Sequence, residues 1–165
     1  MHCTVIKGTI MRVKFNEIKH GKTFWQVRAL YNAEGTAHLS VVKMFVLGRP
    51  YLNKSVDDYF FRCIETHHFG TLTGAASVQD LNVIPNTYNM HALFSSKKSA
   101  ERYAARLKSD CLSDRERAIK AKLTNKPKET YPRALDWYDF YGSNVYAADK
   151  LGKSNVLLGS VSGVA

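Results

Sequence analysis

SSKKSAERYAARLKSDCLSDRERAIKAKL, residues 95–123, is the one long stretch in which period, caps and charge all agree. Ala100, Tyr103, Ala104, Leu107 and Cys111 recur at steps of three and four, which lays an apolar stripe along one side of a helix. Lys98, Arg102 and Arg106 follow one another at i, i+4 and i+8 and stack on a neighbouring face. Ser95 or Ser96 is the expected N-cap, because a serine oxygen accepts from an orphan N–H of the first turn. Lys97 and Lys98 in that turn oppose the helix dipole, a placement that suits a partner better than it suits the helix. Ser113 and Glu116 have capping-box spacing, so the helix is expected to break near Leu112 and a second, mostly charged one to run from about Asp114 to Leu123.

Upstream of this stretch the period changes to two. Thr9, Met11, Val13 and Phe15 alternate with Ile10, Arg12 and Lys14, and Trp25, Val27, Ala29 and Tyr31 alternate with Phe24, Gln26, Arg28 and Leu30. These two runs predict a hairpin joined through NEIKHGKT, its arms bearing Lys7, Arg12, Lys14 and Arg28 among aromatics. A turn at NAEGT leads into Ala37–Leu47, the most β-prone run in the chain, which Gly48, Arg49 and Pro50 end. Asp58–His67 alternates as well. HFGTLTGAAS is expected to turn into a weaker strand over Val78–Ile84, and Asn86–Leu93 to be a loop.

The class predicted is α+β. Four to five short strands form a small curled antiparallel sheet or barrel, SH3-like or OB-like, packed with a long basic helix. A short helical C-terminal segment follows the breaker-rich linker TNKPKETYP: RALDWYDFY is expected to be a third helix, and Val145–Ala165 a looser end. The β-rich residues 1–94 and the helical residues 95–165 are expected to form one folded unit.

Charge is the most informative global property. The 165 residues carry a formal net charge of +10, which attracts polyanions. Residues 96–128 alone hold eleven Lys or Arg against four acids, so about a fifth of the chain carries most of the excess. No run of eighteen apolar residues exists, and MHCTVIKGTI has neither the apolar stretch nor the cleavage site of a signal peptide. Cys3, Cys63 and Cys111 are scattered and odd in number, which argues against a disulfide framework. A soluble cytoplasmic protein without membrane contact is the expectation.

Catalytic chemistry is not marked. In CIETHH, the alternation puts Cys63, Glu65 and His67 on one side of a strand. A metal needs three or four ligands at fixed geometry, and no CxxC or HxxxH accompanies these, so a buried cysteine beside solvated histidines is the better reading. No G-x-S-x-G elbow, P-loop, GxGxxG or cluster of acids is present. The sequence therefore predicts no enzyme, no catalytic residue, no metal and no cofactor. Basic residues interleaved with aromatics carry more weight, since Lys and Arg neutralise phosphate and aromatic faces stack on bases. The function expected first is sequence-tolerant nucleic-acid binding through Lys97, Lys98, Arg102, Arg106, Lys108, Arg115 and Arg117, with Arg12, Lys14, Trp25 and Arg28 of the hairpin as further candidates. For Trp25 itself a core position is favoured. The alternative is a small non-enzymatic adaptor or inhibitor docking on an acidic face of a larger complex. Its plain texture is that of phage-type accessory or anti-host-defence proteins.

Overall fold

The computed structural model describes residues 11–125. The chain divides at Asn125 into two units, and every element described belongs to the first, Met1–Asn125. The expected third helix over residues 133–141 and the looser end over 145–165 lie outside the described residues, as does the start of the expected first strand. The class is the predicted α+β: a curled antiparallel sheet with two helices. Its strands are β1 (Thr23–Tyr31), β2 (Ala37–Val46), β3 (Tyr51–Asn53), β4 (Asp58–His67), β5 (Gly70–Ser77) and β6 (Ala92–Phe94). The helices are α1 (Lys97–Lys108) and α2 (Asp114–Thr124).

β1 and β2 pair from Thr23↔Phe45 to Tyr31↔Ala37 around the NAEGT turn. The Asn32 N–H donates to the Thr36 carbonyl at 3.1 Å, the Thr36 N–H donates to the Asn32 side chain at 2.8 Å, and Gly35 takes the left-handed φ of +81°. β4 receives β2 through Val46↔Cys63 and β3 through Tyr51↔Phe60. Between those pairs, residues 47–50 lie opposite residues 61 and 62 only, a bulge that bends the strand and curls the sheet. β5 runs along the other edge of β4, joined by a two-residue turn at His68 and Phe69, while β6 pairs with the outer edge of β1.

Alternation builds two cores. Phe24, Met44, Val46, Phe61 and Cys63 face one side and meet Val13, Ile18, Val78, Leu81 and Leu93. Val27 and Ala29 face the other, where Ala92, Phe94, Ala100, Tyr103, Leu107 and Ile119 join them. The helical stripe thus sits as its spacing requires, with Ala104 half-buried beside it. Ser96 is the N-cap, accepting the Ser99 N–H at 3.2 Å. The break follows as read, with Asp110 at φ +58°. Ser113 and Glu116 then form the reciprocal capping box.

Some elements differ from expectation. In its described part the first strand reduces to one bridge, Arg12 to Phe94, and a 3-10 turn at Phe15–Glu17. Of Met11, Val13 and Phe15 only Val13 is buried, so the alternation there does not reflect a half-buried strand. The hairpin partner of β1 is β2. Val78–Ile84 is a series of turns, and the strand lies before it, in β5. Among the described residues β5 is an edge, mostly exposed and made mainly of small residues, so it has no apolar alternation to read. Asparagine side chains take over where the ladder is missing: Asn82, at φ +54°, donates to the His91 carbonyl at 2.8 Å and accepts the Asn86 N–H at 2.9 Å. Asn89 donates to the Asp80 side chain at 2.8 Å.

Candidate interaction surface

The basic helices divide into committed and open charges. Arg106 donates through Nη1 and Nη2 to both carboxylate oxygens of Glu116 at 2.7 Å, donates to the Cys111 carbonyl at 2.7 Å, and lies 5.1 Å from the Tyr103 ring centroid. It is the clamp between the two helices, which corrects its reading as one of three open charges stacked on α1. Burial pushes the Glu116 carboxyl up, but Arg106 and the Ser113 bonds outweigh it and hold the group below its ordinary range. Arg115 donates to the Asn82 side chain at 2.9 Å and to the Asn86 carbonyl, tying α2 to the asparagine loop. Arg117 donates to the Leu112 carbonyl at 2.6 Å and pairs with Asp114. Lys97 is 3.8 Å from Glu101, both well exposed, a contact worth little in water. Lys98 and Lys108 are exposed and Arg102 is half-buried, and no ion pair among the described residues engages any of the three.

The remaining expected contacts also separate. Arg12 lies 4.9 Å from the Tyr103 centroid and 5.8 Å from that of Phe94, fixing the entering chain over α1. Lys14 is exposed beside the 3-10 turn. Trp25 is half-buried and packs against the helix-side core, as favoured. Arg28 pairs with Glu65 at 3.2 Å on the opposite side of the sheet. With its amide turned to satisfy both neighbours, Gln26 donates to Glu65 at 3.1 Å and accepts from Arg28 at 2.9 Å. Arg28 thus lies on the side of the sheet away from α1.

Cys63, Glu65 and His67 do share one side of β4, as their spacing requires. Burial pushes the Cys63 thiol up to about 12, and burial also lowers His67 against the opposing pull of Glu65 3.8 Å away. A thiol so hard to ionise is a poor nucleophile and ligand. Among the described residues no group of three or more His, Cys, Asp or Glu side chains is arranged to hold a metal. Cys111 is disulfide-bonded, where the scattered, odd-numbered cysteines argued against disulfides.

A different surface stands out. α1 lies over β1, β2 and β6, and α2 over β1, so among the described residues the same side of β3, β4 and β5 has no helix on it. Cross-strand pairing brings Lys43 beside Thr66, Phe45 beside Ile64, and Tyr51 beside Phe60, with Arg62 between the last two rows. Phe45 is 38% exposed and Tyr51 45%, and Lys43 and Arg62 are exposed, their side chains making no hydrogen bond or ion pair among the described residues. This is an open aromatic face carrying two uncommitted cations. Its signal was present in VVKMF and FFRCI, where a cation alternates with apolar residues. Which side the helices would leave bare was not, because that depends on where α1 docks.

Residues 12–107 match the family described as Phage g100-like protein. The match covers the whole described sheet and nearly all of α1, more than half of the chain, and the chain belongs to this family. No curated protein and no solved structure matches it. Among the described residues, no helix is long and apolar enough to cross a membrane.

Proposed function

We propose that this chain is a non-enzymatic phage accessory protein that docks, through the open side of β2, β3 and β4, on an acidic face of a larger protein complex. The observation that carries this reading is the split among its cations. Arg28, Arg106, Arg115 and Arg117 spend their donors inside the fold, whereas Lys43 and Arg62 stand uncommitted among exposed aromatics. Aromatic anchors ringed by a few charges give an interface both affinity and steering. Membership of the Phage g100-like family agrees with an accessory role.

The test is affinity capture from host extract after exhaustive nuclease treatment, with wild type and with Lys43→Glu/Arg62→Glu. One stoichiometric acidic partner held by wild type and lost by the variant is expected. Equal recovery by both proteins overturns the placement of the surface. A second reading, sequence-tolerant nucleic-acid binding, draws on the net charge of +10 and on Lys98 and Lys108, exposed on α1, with Lys97 and Arg102 on the same helix and Arg12 against Tyr103. Fluorescence anisotropy against single- and double-stranded DNA and RNA separates the two. Affinity that falls steeply with salt, and falls further in Lys98→Gln/Arg102→Gln/Lys108→Gln, is the result that second reading requires.

A further inference from the structure

We infer that the open edge of β5 takes an extended acidic segment of the docking partner as the next antiparallel strand of the sheet. This rests on the accessory reading above and names the chemistry of what docks there.

The β6 and β5 margins of the sheet are treated differently by the fold. The β6 margin is covered: Arg12 bridges Phe94, the Val13 N–H donates to the Leu93 carbonyl at 3.0 Å, and the Ser95 N–H donates to the Met11 carbonyl at 3.3 Å. β5 pairs with β4 alone among the described residues. The phase of that pairing follows from one bond. The Val78 N–H donates to the Tyr59 carbonyl at 2.8 Å, so every second pair from there, 61/76, 63/74 and 65/72, is hydrogen-bonded. Thr71, Thr73 and Ala75 therefore turn N–H and C=O away from β4. The Arg62 carbonyl agrees with this phase, accepting the Leu47 N–H at 2.8 Å on the opposite edge of β4. Leu81 donates to the Ser77 carbonyl at 3.2 Å and closes the open stretch at its end.

Exposed edges are ordinarily guarded by lysine, proline or a bulge. GTLTGAAS has no charge and no proline, and its register with β4 is unbroken from Gly70 to Ser77. An unguarded edge with three consecutive outward pairs of donor and acceptor is a template for strand addition. The side chains say which strand. Thr71, Thr73 and Ala75 lie on the helix-free side and are small, so they leave Ile64, opposite Thr73, and Arg62, opposite Ala75, reachable from beyond the edge. An incoming strand lies about 10 Å from β4, a gap that an arginine and a glutamate close between them. A second copy of this chain would bring another +10 to the same edge, and self-repulsion disfavours it. An acidic segment is attracted by the same charge.

The probe is a fluorescent decapeptide alternating Glu and Val, titrated by anisotropy against the full chain. In antiparallel pairing the residues opposite Thr71, Thr73 and Ala75 share their side and exchange both backbone bonds with them. With Glu on the Arg62 side, N-methylation of the Glu amides removes the bonds to β5, whereas N-methylation of the Val amides points away from it. Binding of the unmodified peptide, a loss of tenfold or more on Glu methylation and little change on Val methylation is the expected result. Thr73→Pro removes only an outward N–H and is expected to match the Glu-methylated loss, with unchanged circular dichroism. Equal binding of all three peptides means charge alone holds them and overturns strand addition. No binding of any peptide overturns it as well, and in either case the capture experiment decides the accessory reading separately. Sedimentation showing a wild-type dimer that Thr73→Pro abolishes would give the edge to a second copy, and that too overturns the inference.

Discussion

Arg106 shows how a single side chain changes meaning between sequence and structure. Read along the helix it is the third cation of an i, i+4, i+8 row, and its partner Glu116 is ten residues away on another helix, beyond any local pairing rule. Only the break at Asp110 folds Glu116 back onto it. Removing Arg106 leaves a nearly buried carboxylate without its cation, so Arg106→Ala is expected to cost about 2 kcal/mol in urea unfolding. Arg102→Ala, without an ion pair among the described residues, should stay within about 0.5 kcal/mol. Equal costs for the two would remove the clamp from the account. His91 is the second informative residue, and nothing near it in sequence marks its role. Its Nδ1 accepts the Ala29 N–H at 3.0 Å, so the ring is neutral in the fold. Burial lowers its pKa, Asp80 pulling the other way and Arg28 adding to the drop. The unfolded chain therefore takes up the proton first as pH falls. The stabilisation is complete above the ordinary histidine value of about 6.5 and is lost as pH descends towards the lower folded value. Stability measured at pH 7 and pH 5 should drop for wild type and drop less for His91→Asn. Burial also lowers His67, so some slope persists in that variant.

At the scale of elements, legibility follows how much of each signal is local. α1, the break after it and the capping box of α2 were readable because stripe, cap and box are all written within a few residues of one another. β4 was readable to its ends, since Asp58–His67 alternates between a core side and a bare side. β5 was not, because glycine, threonine and alanine at an edge bury too little to leave a pattern. The loop after it reads as a strand in sequence because Val78, Leu81 and Val83 are apolar for a different reason, two of them being buried under the sheet by turns that asparagines hold. The Ser113 cap gives the sharpest check at this scale. Its hydroxyl accepts the Glu116 N–H at 3.2 Å, and its own N–H donates to the same carboxylate that Arg106 holds. Ser113→Ala should cost about 1 kcal/mol on its own. Combined with Arg106→Ala it should cost less than the two losses added, because both act through Glu116. Strict additivity would mean that cap and clamp are independent.

For the whole molecule the question is whether the charge of +10 acts as a field or through particular side chains. The sequence made the field plain and left the contact surface hidden, since the strands that α1 and α2 leave uncovered are set only by where those helices dock. Two charge reversals of equal size distinguish field from contact. Lys43→Glu/Arg62→Glu and Lys97→Glu/Lys98→Glu each change two cations to anions and take the formal charge from +10 to +6. Long-range steering depends mainly on net charge, so both variants should slow association with the Glu–Val decapeptide to a similar extent, and the slowing should fade with salt. Dissociation depends on what touches the ligand. Lys43→Glu/Arg62→Glu is therefore expected to speed dissociation tenfold or more, in 0.15 M salt as at low salt, and Lys97→Glu/Lys98→Glu to leave it within twofold. Surface plasmon resonance resolves the two rates. Faster dissociation from the α1 variant alone would move the docking surface from the open sheet side to the basic helix, and the nucleic-acid reading would then be the one to pursue.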